Sequence, residues 1–205
     1  MTAEEELAQI AKEVSVCTLC GLHTARKKAV PGEGPSDSDI LFIGEGPGFH
    51  ENEQGRPFVG AAGRFLEELL ASIDLRREGV FICNVVKCRP PGNRDPQPDE
   101  IEACRPYLDR QIAVIRPAVI VTLGRFSMAR YFGTAKISSV HGQAKTVDGR
   151  LVVAMFHPAA ALHQPGLKSS IEDDFRKLPA LIEQERKRPA TPHSPAGDAK
   201  QLSMF

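Results

Sequence analysis

The sequence lacks the features that identify several whole classes of protein. Its 26 basic and 26 acidic residues cancel, so no overall positive field indicates a nucleic-acid partner. No apolar run approaches the length of a membrane span, and the acidic start of the chain does not have the pattern of a signal peptide. We therefore expect a cytoplasmic protein without membrane contact, in which thiols stay reduced.

Aromatic residues and cysteines are also few. The 205 residues include no tryptophan and only two tyrosines, so aromatic contacts fall mainly to the ten phenylalanines. Five cysteines are an odd number, which fits metal binding better than a disulfide framework. The length is sufficient for one domain with a sizeable core.

Apolar runs that alternate with helical patterns predict the fold. Runs typical of buried strands occur at residues 40–43, 80–84, 118–123 and 151–156, and Asp148-Gly149 predicts a hairpin turn before the last run. Their order predicts a three-layer α/β/α domain with a central, mainly parallel four-stranded sheet. The domain is expected to span residues 1–188. A polar, proline-rich tail at 189–205 is expected to be disordered.

Polar sequences follow the predicted strands at the points where the strands end. Glycine-rich residues 44–48 follow the first strand, Asn84 ends the second, and His157 follows the last. Because ligands of parallel sheets bind outside the carboxyl ends of the strands, we expect these segments to meet at one edge. Asn84 can read the edge of a base with its donor and acceptor, or it can merely cap the end of the strand. His157 can donate to a developing anion, although a lone histidine is more often structural.

Four further residues are candidates for the same site, and each has a simpler interpretation. Gly46 lets the backbone approach a ligand, but a glycine is also ordinary in a strand-to-helix turn. Phe58 lies on a predicted loop, where its ring can stack on a planar ligand or plug the core. Glu45 and Glu51 are the carboxylates of the predicted site, and either can instead be a solvated loop acid.

Four of the cysteines have the pattern of a metal site. Cys17 and Cys20 form a C-x-x-C pair, while Cys88 and Cys104 lie 16 residues apart in a proline-rich segment. Four thiolates suit either tetrahedral zinc or a four-iron cluster, and the spacing does not choose between them. Cys83, inside the second predicted strand, is interpreted as a buried core thiol.

Several motifs occur together with these cysteines. They are residues 44–48 with Glu51, residues 55–60, residues 84–91 with Asn93 and Arg94, and His157-Pro158-Ala159. On these pieces the chain resembles the family 4 uracil-DNA glycosylases of bacteria and archaea, from about residue 10 to residue 185. The resemblance implies a [4Fe-4S] cluster on Cys17, Cys20, Cys88 and Cys104, and hydrolytic excision of uracil after it is flipped out of DNA.

The resemblance also implies a role for each candidate residue. Phe58 would stack on the flipped uracil, the Gly46 backbone would hydrogen-bond it, and Asn84 would read its N3 and O4 atoms. His157 would bond O2 and stabilise the departing uracil anion. Many relatives in the wider superfamily carry an aspartate where Gly46 stands. Glu51 is therefore the best candidate either for stabilising the sugar cation or for excluding thymine at C5.

Contacts to DNA are expected from basic residues and one apolar side chain. Lys87, Arg89, Arg94 and Lys168 are predicted to contact phosphates. Leu162 is the candidate wedge into the duplex, because small residues precede it where relatives tend to carry bulkier ones. The Lys-Arg-Arg-Ile-His stretch of relatives that trap uracil covalently is absent, which favours turnover.

The last five residues resemble the short motif by which bacterial repair proteins bind the replication sliding clamp. Leu202, Met204 and Phe205 would fill an apolar pocket, and Gln201 would fix the register. The clamp is thus a predicted partner besides uracil-containing DNA, and the protein is expected to be a monomer.

Two other functions stay open at this point. The first is a glycosylase for another deaminated base, such as hypoxanthine or xanthine. The second is a non-catalytic, clamp-associated DNA-binding or redox-sensing module with an iron-sulfur centre. The presence of Asn84, Phe58 and His157 together speaks against the second.

Overall fold

The computed structural model describes residues 1–187, and these form a five-stranded central sheet. Its strands are β1 (Ile40–Gly44), β2 (Phe81–Asn84), β3 (Val119–Leu123), β4 (Ala144–Val147) and β5 (Arg150–Met155). They lie in the order β2-β1-β3-β5-β4; the first four are parallel, and β4 is antiparallel to β5. The four predicted parallel strands are confirmed. The sheet has a fifth because the predicted hairpin adds an edge strand.

Helices cover both faces of this sheet. They are α1 (Ala3–Val16), α2 (Phe49–Gln54), α3 (Ala61–Ala71), α4 (Pro98–Ile115), α5 (Arg125–Phe132), α6 (Ile137–Val140), α7 (Ala159–His163) and α8 (Lys168–Arg186). Short 3-10 turns occur at Gly21–Thr24, Arg77–Gly79, Pro91–Asn93 and Pro165–Leu167. In the part of the chain that the structure describes, no helix is both long and apolar enough to span a membrane.

Two cores lie on opposite sides of the sheet, because consecutive side chains of a strand point to opposite faces. Phe42 packs with the apolar residues of α3 and α8 on one side, where its ring stacks on Phe175 at a centroid distance of 6.2 Å. Leu41 and Ile43 pack with α1 and α4 on the other side. Both faces of β1 are thus buried, which explains its continuous apolar run and confirms the three-layer fold.

The register of the sheet brings the ends of the strands to one edge. Gly44 at the end of β1 pairs with Asn84 at the end of β2. The pairing continues into the following loops, because the backbone N–H groups of Val85 and Val86 donate to the carbonyls of Gly44 (3.0 Å) and Glu45 (3.1 Å). His157 lies two residues beyond the end of β5. The predicted tail and its clamp motif lie outside the described residues.

We predict that Phe175→Ala lowers the free energy of unfolding by about 3–5 kcal/mol, because it removes a fully buried ring and leaves a cavity. Urea denaturation measures this change. Phe49→Ala is the matched control, since its ring is 53% exposed and its loss should cost little. Equal effects of the two substitutions would contradict this account of the core.

Candidate active site and cysteine cavity

A cleft at the carboxyl edge of the sheet gathers the six residues that were predicted to bind or act on substrate. They are Glu45, Gly46, Glu51, Phe58, Asn84 and His157. The first three follow β1, and the others come from the loop before α3, the end of β2 and the segment after β5. Parallel pairing of the strands therefore assembles the cleft from segments that are distant in the sequence.

Asn84 presents an unsatisfied acceptor to this cleft. Its side chain is 1% exposed, and its Oδ1 atom has no hydrogen-bond partner among the described residues. Leaving such an atom unpaired costs about 1–3 kcal/mol, so a ligand that donates to it recovers that free energy. A Cβ at Gly44 would lie 2.4 Å from this oxygen and 2.7 Å from the Phe58 ring, so only glycine fits there.

Phe58 is held in a strained conformation beside His157. Its φ of 51° is uncommon for a residue with a side chain, and its ring stacks on the His157 ring at a centroid distance of 5.4 Å. The Arg77 guanidinium donates to the Phe58 carbonyl at 2.8 Å. A Cβ at Gly63 of α3 would lie 1.9 Å from that carbonyl oxygen. Arg77 and Gly63 therefore support the site, although no sequence pattern indicated them.

Glu51 joins the two loops that form one wall of the cleft. Its Oε1 accepts from the backbone N–H groups of Val59 and Gly60, both at 2.9 Å, and its Oε2 accepts from Gly48 at 3.1 Å. Both carboxylate oxygens are therefore fixed by the backbone. The negative charge of Glu51 has one defined position in the site.

His157 is a neutral donor at physiological pH. Burial lowers the pKa of its imidazole to about 4, while the charge of Glu51 acts in the opposite direction. The Ala159 backbone N–H donates to Nδ1 at 3.1 Å, so the neutral ring carries its proton on Nε2.

Glu45 is the second carboxylate of the cleft, and it is half-buried. Burial raises the pKa of its carboxyl group, as does the charge of Asp95, while Arg125 opposes the shift. It is therefore a stronger proton acceptor than an ordinary glutamate.

The four predicted cysteine ligands line a second cavity, at the junction of α1, the loop after β2, and α4. Three N–H groups donate to their sulfur atoms: Leu19 to Cys17 at 3.5 Å, Arg26 to Cys88 at 3.4 Å, and Lys87 to Cys104 at 3.2 Å. Burial raises the pKa of the Cys104 thiol to about 11. Cys83 is fully buried in β2, as predicted.

Across residues 1–187, no group of three or more histidine, cysteine, aspartate or glutamate side chains is arranged to hold one metal ion. The four thiols nevertheless surround one cavity. Four thiols around one cavity are a donor set that either a zinc ion or a four-iron cluster can use.

The structure contradicts one predicted DNA contact. Lys87 is 1% exposed, and its Nζ donates to the Asn84 carbonyl at 2.9 Å and to Gln111 Oε1 at 2.6 Å. It cannot reach a phosphate, so that prediction is wrong. The charged sequence around Lys87 suggested a surface loop, but the chain stays buried past the end of β2.

The other predicted DNA contacts lie nearer the surface. Arg94 lines the cleft and forms two hydrogen bonds with Glu100, at 2.9 and 2.6 Å. Arg89 bonds Asn93 at 2.7 Å, and its guanidinium lies 5.3 Å from the centroid of the exposed Phe49 ring, which sequence reasoning did not single out. Leu162 (50% exposed) and Lys168 line a shallow surface depression beside α3.

Comparison with known proteins identifies the class. Residues 31–178 match a family model described as the Uracil DNA glycosylase superfamily, and the chain belongs to this superfamily. The resemblance that its motifs predicted is therefore confirmed.

Type-4 uracil-DNA glycosylases are among the similar proteins within that class. The enzyme of Archaeoglobus fulgidus is 48% identical over 186 residues, which are 86% of this chain and 94% of the relative. That of Saccharolobus solfataricus is 50% identical over 184 residues, covering 85% of both chains. That of Thermotoga maritima is 44% identical over 191 residues, covering 90% of this chain and 100% of the relative.

We predict that the His157 imidazole of the folded protein titrates with a midpoint near pH 4, measured by NMR of its ring nitrogens. The ordinary value is 6.5, so the unfolded chain binds more protons between these two pH values. The contribution of His157 to stability therefore decreases as the pH falls from 6.5 towards 4. A midpoint near 6.5 would show that the ring is not desolvated.

Proposed function

We propose that this protein removes uracil from DNA by hydrolysing its N-glycosidic bond, which leaves an abasic site. The observation that carries the proposal is the buried, unpaired Oδ1 of Asn84 at the cleft that Phe58 and His157 line. The superfamily match and the printed names of the type-4 relatives support it.

Asn84 accounts for the choice of base. Uracil presents an N3–H donor and an O4 acceptor, which match the Oδ1 and Nδ2 atoms of an amide. Cytosine presents an acceptor at N3 and an amino donor at position 4, so the same amide would face two mismatches. Because this amide is buried at the cleft, a base must leave the duplex stack to reach it.

His157 and the two carboxylates, Glu51 and Glu45, have separate roles in the proposed hydrolysis. The C1′–N1 bond breaks with its electron pair moving into the uracil ring, and the Nε2–H of His157 donates to the O2 atom on which negative charge develops. Glu51, whose oxygens are fixed by three backbone donors, stabilises the cationic sugar. Water adds to C1′, and Glu45 accepts its proton.

Cys17, Cys20, Cys88 and Cys104 would hold a [4Fe-4S] cluster, and the four thiols around one cavity with their N–H···S contacts support this proposal. Such a cluster would supply a covalent link between α1, α4 and the loop that follows Asn84. Its cysteine ligands would then keep the residues after β2 fixed next to the cleft.

DNA is the partner that a glycosylase requires, and its backbone would run along the rim of the cleft. Arg89, Arg94 and Lys168 are proposed to contact phosphates, with Leu162 entering the space left by the flipped base. The clamp contact of residues 201–205, the monomeric state and the cytoplasmic location stay predictions. Excision of hypoxanthine or xanthine and a non-catalytic role are not favoured by the comparisons.

We predict that Asn84→Ala lowers single-turnover release of uracil from a labelled oligonucleotide by roughly 30- to 100-fold, because two hydrogen bonds to the base are lost. Asn52→Ala is the control. Asn52 is also buried, but its amide oxygen accepts from the Lys27 backbone at 2.9 Å, outside the cleft. Unchanged release by folded Asn84→Ala protein would refute the proposed recognition of uracil.

We predict that Cys104→Ser removes the absorbance near 400 nm and the bound iron of the purified protein, because one cluster ligand is lost. Cys83→Ala is the matched control: its thiol is also buried but does not line the cavity, so iron content should not change. Colourless wild-type protein that contains zinc would rule out the cluster.

A further inference from the structure

Two cations border the cysteine cavity, and neither is paired with a carboxylate among residues 1–187. They are Arg26 and Lys87. Lys87 is almost completely buried, and its ammonium group donates to the Asn84 carbonyl at 2.9 Å and to Gln111 Oε1 at 2.6 Å. Both acceptors are neutral. A buried cation is unfavourable unless a negative charge compensates it.

Arg26 has a similar set of partners. Its guanidinium donates to the carbonyls of Cys17 and Ser15, both at 2.8 Å, and to the Cys88 sulfur at 3.4 Å. This side chain is half-buried and carries a positive charge. Among these three partners of Arg26, only the Cys88 sulfur can carry a negative charge.

Two carboxylates near the cavity are already paired with other arginines. Glu100, at the start of α4, pairs with Arg94, and Glu13 of α1 pairs with Arg110. These carboxylates therefore do not compensate Arg26 or Lys87. The positive charge at the cavity requires another source of negative charge.

We propose that Arg26 and Lys87 are the counter-charges of the cluster held by the four cysteines, and that they set its reduction potential. The inference rests on the cofactor proposed above. A cluster bound by four thiolates carries net negative charge, and one-electron reduction increases that charge. Nearby cations therefore favour the reduced form and raise the potential.

Lys87 also connects this charge to the recognition of the base. Its backbone N–H donates to the Cys104 sulfur at 3.2 Å, while its ammonium group bonds the carbonyl of Asn84. The same residue thus contacts a cluster ligand and the residue that reads uracil. It is a positioning residue, because it does not reach the substrate itself.

The proposal is tested by measuring the reduction potential of the cluster in the purified holoprotein by electrochemistry, for the wild-type protein and for two variants. Lys87→Met keeps the length of the side chain and removes its charge, while Arg26→Gln removes the second charge. Each should shift the potential to more negative values. For Lys87→Met we expect at least a tenfold change in the ratio of oxidised to reduced cluster, equal to about 59 mV for one electron.

Lys145→Met is the control, because Lys145 is an exposed cation on β4 that lies over Phe132, and it should not move the potential. If Lys87→Met does not fold, the reduction potential of Arg26→Gln tests the proposal by itself. The side chain of Arg26 is half-exposed and is therefore easier to replace. A purely structural role would lower the melting temperature and leave the potential unchanged.

The outcomes separate this inference from the proposals on which it rests. If the reduction potentials of the iron-loaded Lys87→Met and Arg26→Gln variants are unchanged, the counter-charge role is wrong. That result would not contradict uracil excision or the cluster. Wild-type protein without iron overturns the cluster and the counter-charge role together. Uracil release by that protein would still support the glycosylase.

Discussion

The pairing of β1 with β2 is the constraint on which the rest of the structure depends. In this register Gly44 lies opposite Asn84, and backbone hydrogen bonds continue the pairing through Val85 and Val86. A shift by one residue would turn the Asn84 side chain to the other face of the sheet. The same shift would move Cys88 away from the cavity. The position of Asn84 in the cleft and the cysteine cavity thus depend on the same register.

The loops around the cleft are fixed before any substrate arrives. The Glu51 carboxylate holds three backbone N–H groups, and Arg77 holds the carbonyl of Phe58 in its left-handed conformation. Groups held in this way need not reorganise when charge develops during the reaction. Short helices α2 and α7 contribute to this order by carrying Glu51 and by following His157 directly.

The strands, the long helices and the members of the cleft were predictable because they leave local patterns in the sequence. Apolar runs mark β1, β2, β3 and β5, and helical periodicity marks α3. The support of Phe58 by Arg77 and Gly63 was not predictable, since it depends on contacts between distant segments. The burial of Lys87 could not be predicted from the sequence for the same reason. Its acceptor Gln111 lies on α4, and no local pattern links the two residues.

The unpaired oxygen of Asn84 has a consequence after the bond is broken. Free uracil keeps the N3–H donor and the O4 acceptor that we propose the buried amide recognises. On the proposed mechanism the cleft binds the product by the same edge as the substrate, and only the proposed contacts to DNA distinguish the two. Release of the free base and of the abasic strand then competes with the next catalytic cycle, so strong recognition of the lesion limits how fast the enzyme turns over.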